Sequence, residues 1–500
     1  MDKNGNITIT DWIKGMAQSA ILGNETIIGC EIFEEPGILK ANNVPSADSS
    51  KVNDSGYVTL TGMPIADVTN YNSSNVLQRT VLTEGGQLLS IQNADTALAT
   101  NLSQGWDACV WNQTYTVVSY AQSGTGYIGV IWHDASSNSA SWESAKIGSL
   151  TGTHCIKLLK AQDGYMYFTN GNTIGRITNI TGGTGAVTVT SSSNVLDLPD
   201  NEYAVTMAEL GSNLLIGTQY GYSYSQRQNF AGANIYPWDR VSSSFRLPVR
   251  INENGINAMV SNKNQVYFSA GNNGNIYVTD GTNYQLVKTL PFCKTKKFGP
   301  NSYVYPNAMT INQAGNLLIG LSTEYTSGSP STTGVWEIGL TQGYPTHLPF
   351  ISIDGNTGDS STLKIGSVRV LASDTISFGC QSNSTYKLLT TTYNLNANTR
   401  YDTQAYFVGS RKFRKSFQNI EFTLSQPLVA NQSIKISYRK NLNDPFTEIG
   451  TWTYSELGGV ISHYDKALIA DAEMVQLRVE LIQSSVIFGN NINLVRILLN

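Results

Sequence analysis

Four histidines, His133, His154, His347 and His463, are all the imidazole this 500-residue sequence offers, and no two stand at a metal-ligand spacing. There is no nucleophile elbow and no H-E-x-x-H run, so structural or surface histidine is the expectation. The opening Asp2, Asn4, Gly5, Asn6, Ile7 and Asp11 imitate part of a calcium loop. With Asp2 at loop position three, however, position one precedes the first methionine, and Asp11 lacks the bidentate reach of Glu at position twelve. It reads as a plain turn, and neither a metal nor any other cofactor is expected. Arg227, Arg240, Arg246, Arg250 and Arg369 supply the cations that a sialidase-type site gathers around a carboxylate. The S-x-D-x-G-x-x-W turns of such propellers are absent and Tyr is too common to be diagnostic, so no enzyme is expected.

Contact chemistry is better represented. Lys294, Lys296 and Lys297 form one basic cluster, and Arg411, Lys412, Arg414 and Lys415, interleaved with Phe413 and Phe417, form a tighter one. Either can meet phosphate; equally, charge on a linker or edge strand keeps it soluble and blocks edge pairing. Tyr220, Tyr222, Tyr224, Tyr236 and Trp238 gather in and before a long insertion, Gln226 to Arg246. Such rings suit a protein interface or a sugar platform, or else pack a core.

Composition narrows the partners. Only 14% of residues are charged, Gly (45) and Tyr (26) are plentiful, and the net charge of −4 disfavours a general nucleic-acid or membrane-surface binder. Five scattered cysteines with no C-x-x-C pair read as reduced thiols. No basic and apolar leader opens the chain and no run approaches 18 apolar residues, so synthesis and assembly in a cytoplasm, without a membrane span, are expected.

The elements that must position these groups are strands. A polar turn, four or five strand formers and a closing turn recur at GYMYFTNG, SNLLIG, NQVYFSAG and GNLLIG. Their opening residues Tyr165, Asn213, Gln265 and Asn316 lie 48, 52 and 51 apart by subtraction. That is the period of a β-propeller blade, and four strands trace from Ile256 to Leu290. An all-β fold is predicted: a propeller of about seven blades, six being possible, over residues 56–398, then a β-sandwich over 399–500. Gln87 to Ile91 reads as a partial blade, because Tyr115 follows only 28 residues later, and Gly56 to Thr61 is expected to complete the last blade. Residues 1–55 lack the repeat. Trp12, Ile13 and Met16 recur there at helical spacing, which predicts a short helix and strand strap for assembly.

DWIKG (Asp11 to Gly15), EEPGIL (Glu34 to Leu39), IYPWDR (Ile235 to Arg240), AGNNGNIYVTDG (Ala270 to Gly281) and the C-terminal SFQNIEFTLSQPL, IKISYRK and VQLRVEL together resemble propeller-bearing tail proteins of tailed bacteriophages. The resemblance implies a structural virion protein of tail nozzle, hub or tip type, in several copies around an axis. In short-tailed phages such rings are commonly hexameric, sit below an adaptor beside fibres, and pass DNA without reading its sequence. The alternatives are a receptor-binding tail or capsid-attached protein recognising the host surface, and a propeller that binds or hydrolyses glycans.

Overall fold

β-branched and aromatic residues alternate between turns throughout the chain, and a computed structural model shows the strands this pattern dictates. It describes all residues except 1–5, 10–25, 29, 33–38, 42–46, 49–59, 73, 75–76, 92–95, 135–138, 221–231, 291–301, 325–333, 340–344, 348–361, 372–375, 383–384, 392–397, 404, 409–413, 442–443 and 484–491. The expected N-terminal helix with Trp12, Ile13 and Met16, the Lys294 cluster, Arg411, Lys412, Tyr222 and Tyr224 all lie outside the described residues.

Two compact units emerge, Ala47–Trp336 with Ser352–Thr390, and Met1–Ser46 with Glu337–Ile351 and Thr391–Asn500. The first is the propeller. Five four-stranded antiparallel sheets follow one another, beginning at Pro64, Gln104, Leu158, Glu202 and Ile256. An eight-stranded sheet then divides into two further sets of four, beginning at Ser302 and Thr362. This gives seven blades. The second strands of the blades open at Leu77, Tyr115, Met166, Asn213, Gln265, Leu317 and Ile376, at intervals of 38, 51, 47, 52, 52 and 59 by subtraction.

Three sequence expectations change here. Blade one is complete, Pro64–Tyr71, Leu77–Thr83, Leu88–Ile91 and Thr96–Ala99; the 28-residue interval compared its third strand with the second strand of blade two. Ala47–Asp48 lies beside Thr385–Thr391 as the described closing strand; of the expected Gly56 to Thr61 strand, 56–59 lie outside the described residues and Leu60 and Thr61 are not in a strand. The supposed insertion after blade four's second strand contains that blade's third strand, Ala233–Trp238, and the fourth, Val249–Ile251, follows it. The Gly and Asn residues around it had read as loop.

The first strand of most blades carries a register shift near its start, at Pro64/Ala66, Gly105/Asp107, Ala204/Thr206, Ile256/Ala258 and Ile365/Ser367. A bulge strengthens twist, which a blade needs where strands crowd toward the axis. Blades one and seven meet closely: a Cβ on Gly379 would stand 2.1 Å from the Pro64 carbonyl oxygen, so only glycine fits.

The second unit is a two-sheet sandwich. One sheet runs Cys30–Ile32, Leu39–Ala41, Asn493–Leu499, Lys415–Leu424, Ser462–Ala472, with Ile7–Ile9 also on Asn493–Leu499. The other runs Thr26–Ile28, Asn398–Asp402, Met474–Gln483, Gln432–Arg439, Thr447–Thr453. The alternation Val475, Leu477, Val479, Leu481 buries as predicted, against Phe417, Phe422, Ile434 and Trp452. Ile7 and Ile9 join this core, so the described strands of residues 1–55 build the sandwich, apart from Ala47–Asp48 in blade seven. Ser462–Ala472 was not legible beforehand: two register shifts against Lys415–Leu424 break its alternation.

Candidate functional site

In the propeller unit, the first strands of the blades enclose a cavity of about 300 Å³, open to solvent and lined by Asp67, Thr69, Asp107, Cys109, Lys157, Asn307, Thr310 and Arg369 among others. A second cavity of about 480 Å³ shares Lys157, Leu158 and Met259 and adds Glu209 and Lys263.

Two ionic networks occupy the first cavity's wall. Asp67 receives Arg79 in a fork, Nε to Oδ1 at 2.8 Å and Nη2 to Oδ2 at 2.6 Å. Ser377 of blade seven donates its hydroxyl to Oδ2 at 2.7 Å. Arg369, also of blade seven, donates to the Asp67 carbonyl at 2.9 Å and to the Thr69 hydroxyl. Burial by itself would raise the Asp67 pKa, but the charge and hydrogen bonds of Arg79, with Arg369 and Ser377, outweigh it and hold the carboxyl below its ordinary value. Asp67 is therefore a permanent anion that stitches first blade to last, and it has no proton to give at neutral pH.

The second network crosses the axis. Asp107 accepts the Leu158 amide at 2.8 Å and pairs with Lys157 at 3.0 Å. Lys157 also donates to Asn307 of blade six, whose amide reaches the Ile65 carbonyl at 2.9 Å. Asn307 is placed there by a large register shift between Val304 and Met309, which takes it out of the pairing with Leu317–Glu324 and sets it beside Ser367 of the next blade. The axis is thus bridged by side chains. A duplex, whose major groove alone is about 12 Å wide, has no path along it.

Cys109 lines the same wall, its thiol pushed up to about 11 by burial and then by Asp107, so it is a neutral lining group and no nucleophile. Among the described residues no three His, Cys, Asp or Glu side chains converge where a metal could sit.

The aromatics singled out in the sequence divide. Tyr236 and Trp238 are 2% and 1% exposed and belong to the core of blades three and four, so they present no contact area. Tyr220 is half-buried. Its hydroxyl and that of Tyr236 each donate to Glu202 Oε1 at 2.7 Å; Thr218 donates to Oε2 at 2.9 Å and the Asn234 amide to both oxygens. This Tyr and Glu pair resembles a glycosidase relay in composition. Burial, followed by the hydrogen bond to Glu202, pushes the Tyr236 hydroxyl far above its ordinary value, away from nucleophilic use. The network instead ties the strand carrying Thr218 and Tyr220 to the strand carrying Asn234 and Tyr236.

Of the basic cluster, Arg414 is exposed beside Glu473 at 3.3 Å, and Lys415 stands 4.9 Å over the Phe417 ring. Lys415 opens an interior strand of its sheet, so it does not guard an edge. Arg240, at φ +69°, bonds Glu209 at 2.6 Å and so ties down the turn after Trp238.

Asp67, Arg79, Asp107, Lys157 and Asn307 were missed. A signal existed: Asp67 and Asp107 each occupy the fourth position of a first strand otherwise rich in apolar residues. A single acidic residue at one register in two blades marks a shared inner position.

His133 and His154 are buried, and desolvation pushes both down to about 4 from 6.5. His133 Nε2 meets the Thr116 hydroxyl at 2.9 Å, and His154 stacks on Tyr203 at 3.8 Å. The unfolded chain takes up these protons first. Stability is therefore full above pH 6.5 and declines toward pH 4, by on the order of 3 kcal/mol per histidine at about 1.4 kcal/mol per unit. Urea midpoints measured between pH 7 and 5 should fall for the wild type and flatten in a His133→Gln/His154→Gln double variant; a flat wild-type profile refutes this.

No family model matches the sequence and no curated protein is significantly similar to it. Among solved structures, the Dos1 propeller has a TM-score of 0.40 at 12% identity, over 66% of this chain and 92% of that one. A luciferin-regenerating enzyme has 0.34 at 10%, over 58% and 90%. An exo-β-1,3-galactanase from Phanerochaete chrysosporium has 0.28 at 10%, over 79% and 95%. Likenesses this distant carry no argument about activity, and none of these three is a phage tail protein. The class of the molecule rests on its own sheet order, a β-propeller joined to a β-sandwich.

Proposed function

We propose that this chain is a non-enzymatic structural subunit of a tailed-bacteriophage tail, of nozzle or hub type, whose sandwich packs against neighbouring subunits. The observation that carries the assembly reading is a run of exposed apolar residues on the sandwich. Tyr454, Val460 and Ile461 lead into the outer strand Ser462–Ala472, where Tyr464 and Leu468 are 59% and 76% exposed. Exposed apolar side chains concentrated in one segment are what a subunit buries on assembly. The sequence resemblance names the assembly. Because Asn307 and Lys157 bridge the propeller's axis, DNA delivered by such a particle would pass through a ring of subunits and not through one propeller.

The full-length chain should migrate as a multimer by light scattering and be found in purified particles at several copies per tail. A Tyr464→Ser/Leu468→Ser variant should shift to monomer with an unchanged melting temperature. A monomeric wild type, or absence from particles, overturns the proposal. No described helix is long and apolar enough to cross a membrane.

A monomeric chain that binds whole host cells would instead support the second reading, recognition of a host surface.

A further inference from the structure

Among the described residues, two carboxylates, Asp67 and Asp107, and two cations, Lys157 and Arg369, line the cavity, and the thiol of Cys109 adds no negative charge; Arg79, which is not part of this lining, reaches Asp67 as well. Arg79 takes both oxygens of Asp67, and Lys157 is matched to Asp107. Arg369 is left with neutral acceptors: its two hydrogen bonds run to the Asp67 backbone carbonyl and the Thr69 hydroxyl. A guanidinium carries five donors in a planar fork, so further donors remain for a ligand in the cavity that Arg369 lines.

Arg369 is half-buried, and Asp67, whose charge it feels, is already engaged on both oxygens by Arg79. The space for an anion is present. The cavity's volume of about 300 Å³ lies at the lower end of small-molecule sites, is open to solvent, and brings Thr69, Thr310 and Lys157 to the same wall. Val68, Val110, Leu158 and Met309 add apolar lining. A few polar groups among apolar lining residues is the usual composition of a ligand pocket.

We infer that the central cavity of the propeller binds a small oxyanion, a carboxylate or phosphate group, through the Arg369 guanidinium with the hydroxyls of Thr69 and Thr310 beside it. The planar fork of arginine matches two oxygens of either group, whereas chloride offers a single point. The site lies within the propeller alone, so it is independent of how the sandwich assembles.

Calorimetric titration of the full-length chain with sodium acetate and, separately, sodium phosphate, each against sodium chloride at equal ionic strength, tests this. Saturable heat and a concentration-dependent rise in melting temperature are expected with at least one oxyanion and not with chloride. Response to acetate alone assigns a carboxylate; response to phosphate alone assigns a phosphate group. Arg369→Lys keeps the charge and loses the fork, and should weaken binding by about tenfold with the circular dichroism unchanged. Arg369→Gln should abolish it. If neither oxyanion binds the wild type, or if Arg369→Lys and wild type bind equally, the inference is wrong.

Discussion

Asp67→Ala lowers the stability of the propeller by about 3–5 kcal/mol, the cost of leaving a buried charge without its partner. The side chains of Asp67 and Arg79 are 1% and 16% exposed, and Arg79 loses both of its contacts to the carboxylate at once. The loss is larger than for an ordinary ion pair because the same carboxylate holds Ser377 across the seam between the first and last blades. Elsewhere successive blades are joined by continuous chain, but this seam joins residues 310 positions apart. Opening it exposes two blade edges together. The measurement is the midpoint of urea unfolding followed by tryptophan fluorescence, with Arg79→Met/Asp67→Leu as the companion variant. An apolar pair of similar volume removes the uncompensated charge, so the double variant should recover much of the loss. A single-variant loss below about 1 kcal/mol would instead class the pair with exposed salt bridges.

Removing residues 1–45 should unfold the sandwich while the propeller persists. Ile7 and Ile9 are fully buried in the sandwich core, and the described strands of residues 7–41 all pair within its two sheets. Losing large buried aliphatic side chains costs about 2–5 kcal/mol each, more than a sandwich of roughly a hundred residues can spare. The propeller keeps Ala47–Asp48, the strand that completes blade seven. Limited proteolysis should therefore digest residues 399–500 and leave a resistant fragment within 47–390, and assembly should fail because the face bearing Tyr464 and Leu468 is gone. A protease-resistant sandwich in the truncated chain would show that the N-terminal strands are dispensable, and a fully unfolded chain would show that the two units fold only together.

Much of the architecture was legible because it is local. Turn residues and β-branched runs at a period near fifty specify four-stranded blades, and period-two alternation in Val475 to Leu481 specifies a half-buried strand. Boundaries failed where a local signal was ambiguous. Ala233–Trp238 hid among Gly and Asn, and Ser462–Ala472 hid behind its bulges. Tyr236 and Trp238 could not be told from surface rings, since an aromatic residue in a strand looks the same whichever face it takes.

The candidate site was least legible, for a physical reason. Asp67 and Ser377 are adjacent only because a ring closes, and Lys157 and Asn307 only because a bulge carries blade six inward. The sequence by itself determined an all-β chain, a blade period, a terminal sandwich and a low charge, since each follows from residues within one turn or strand of each other. Tertiary structure alone decided which end of the chain completes which sheet, and that the axis is bridged. It also decided that Asp67, Asp107, Lys157 and Arg369 line one cavity, because long-range electrostatics depend on distances that sequence separation does not encode.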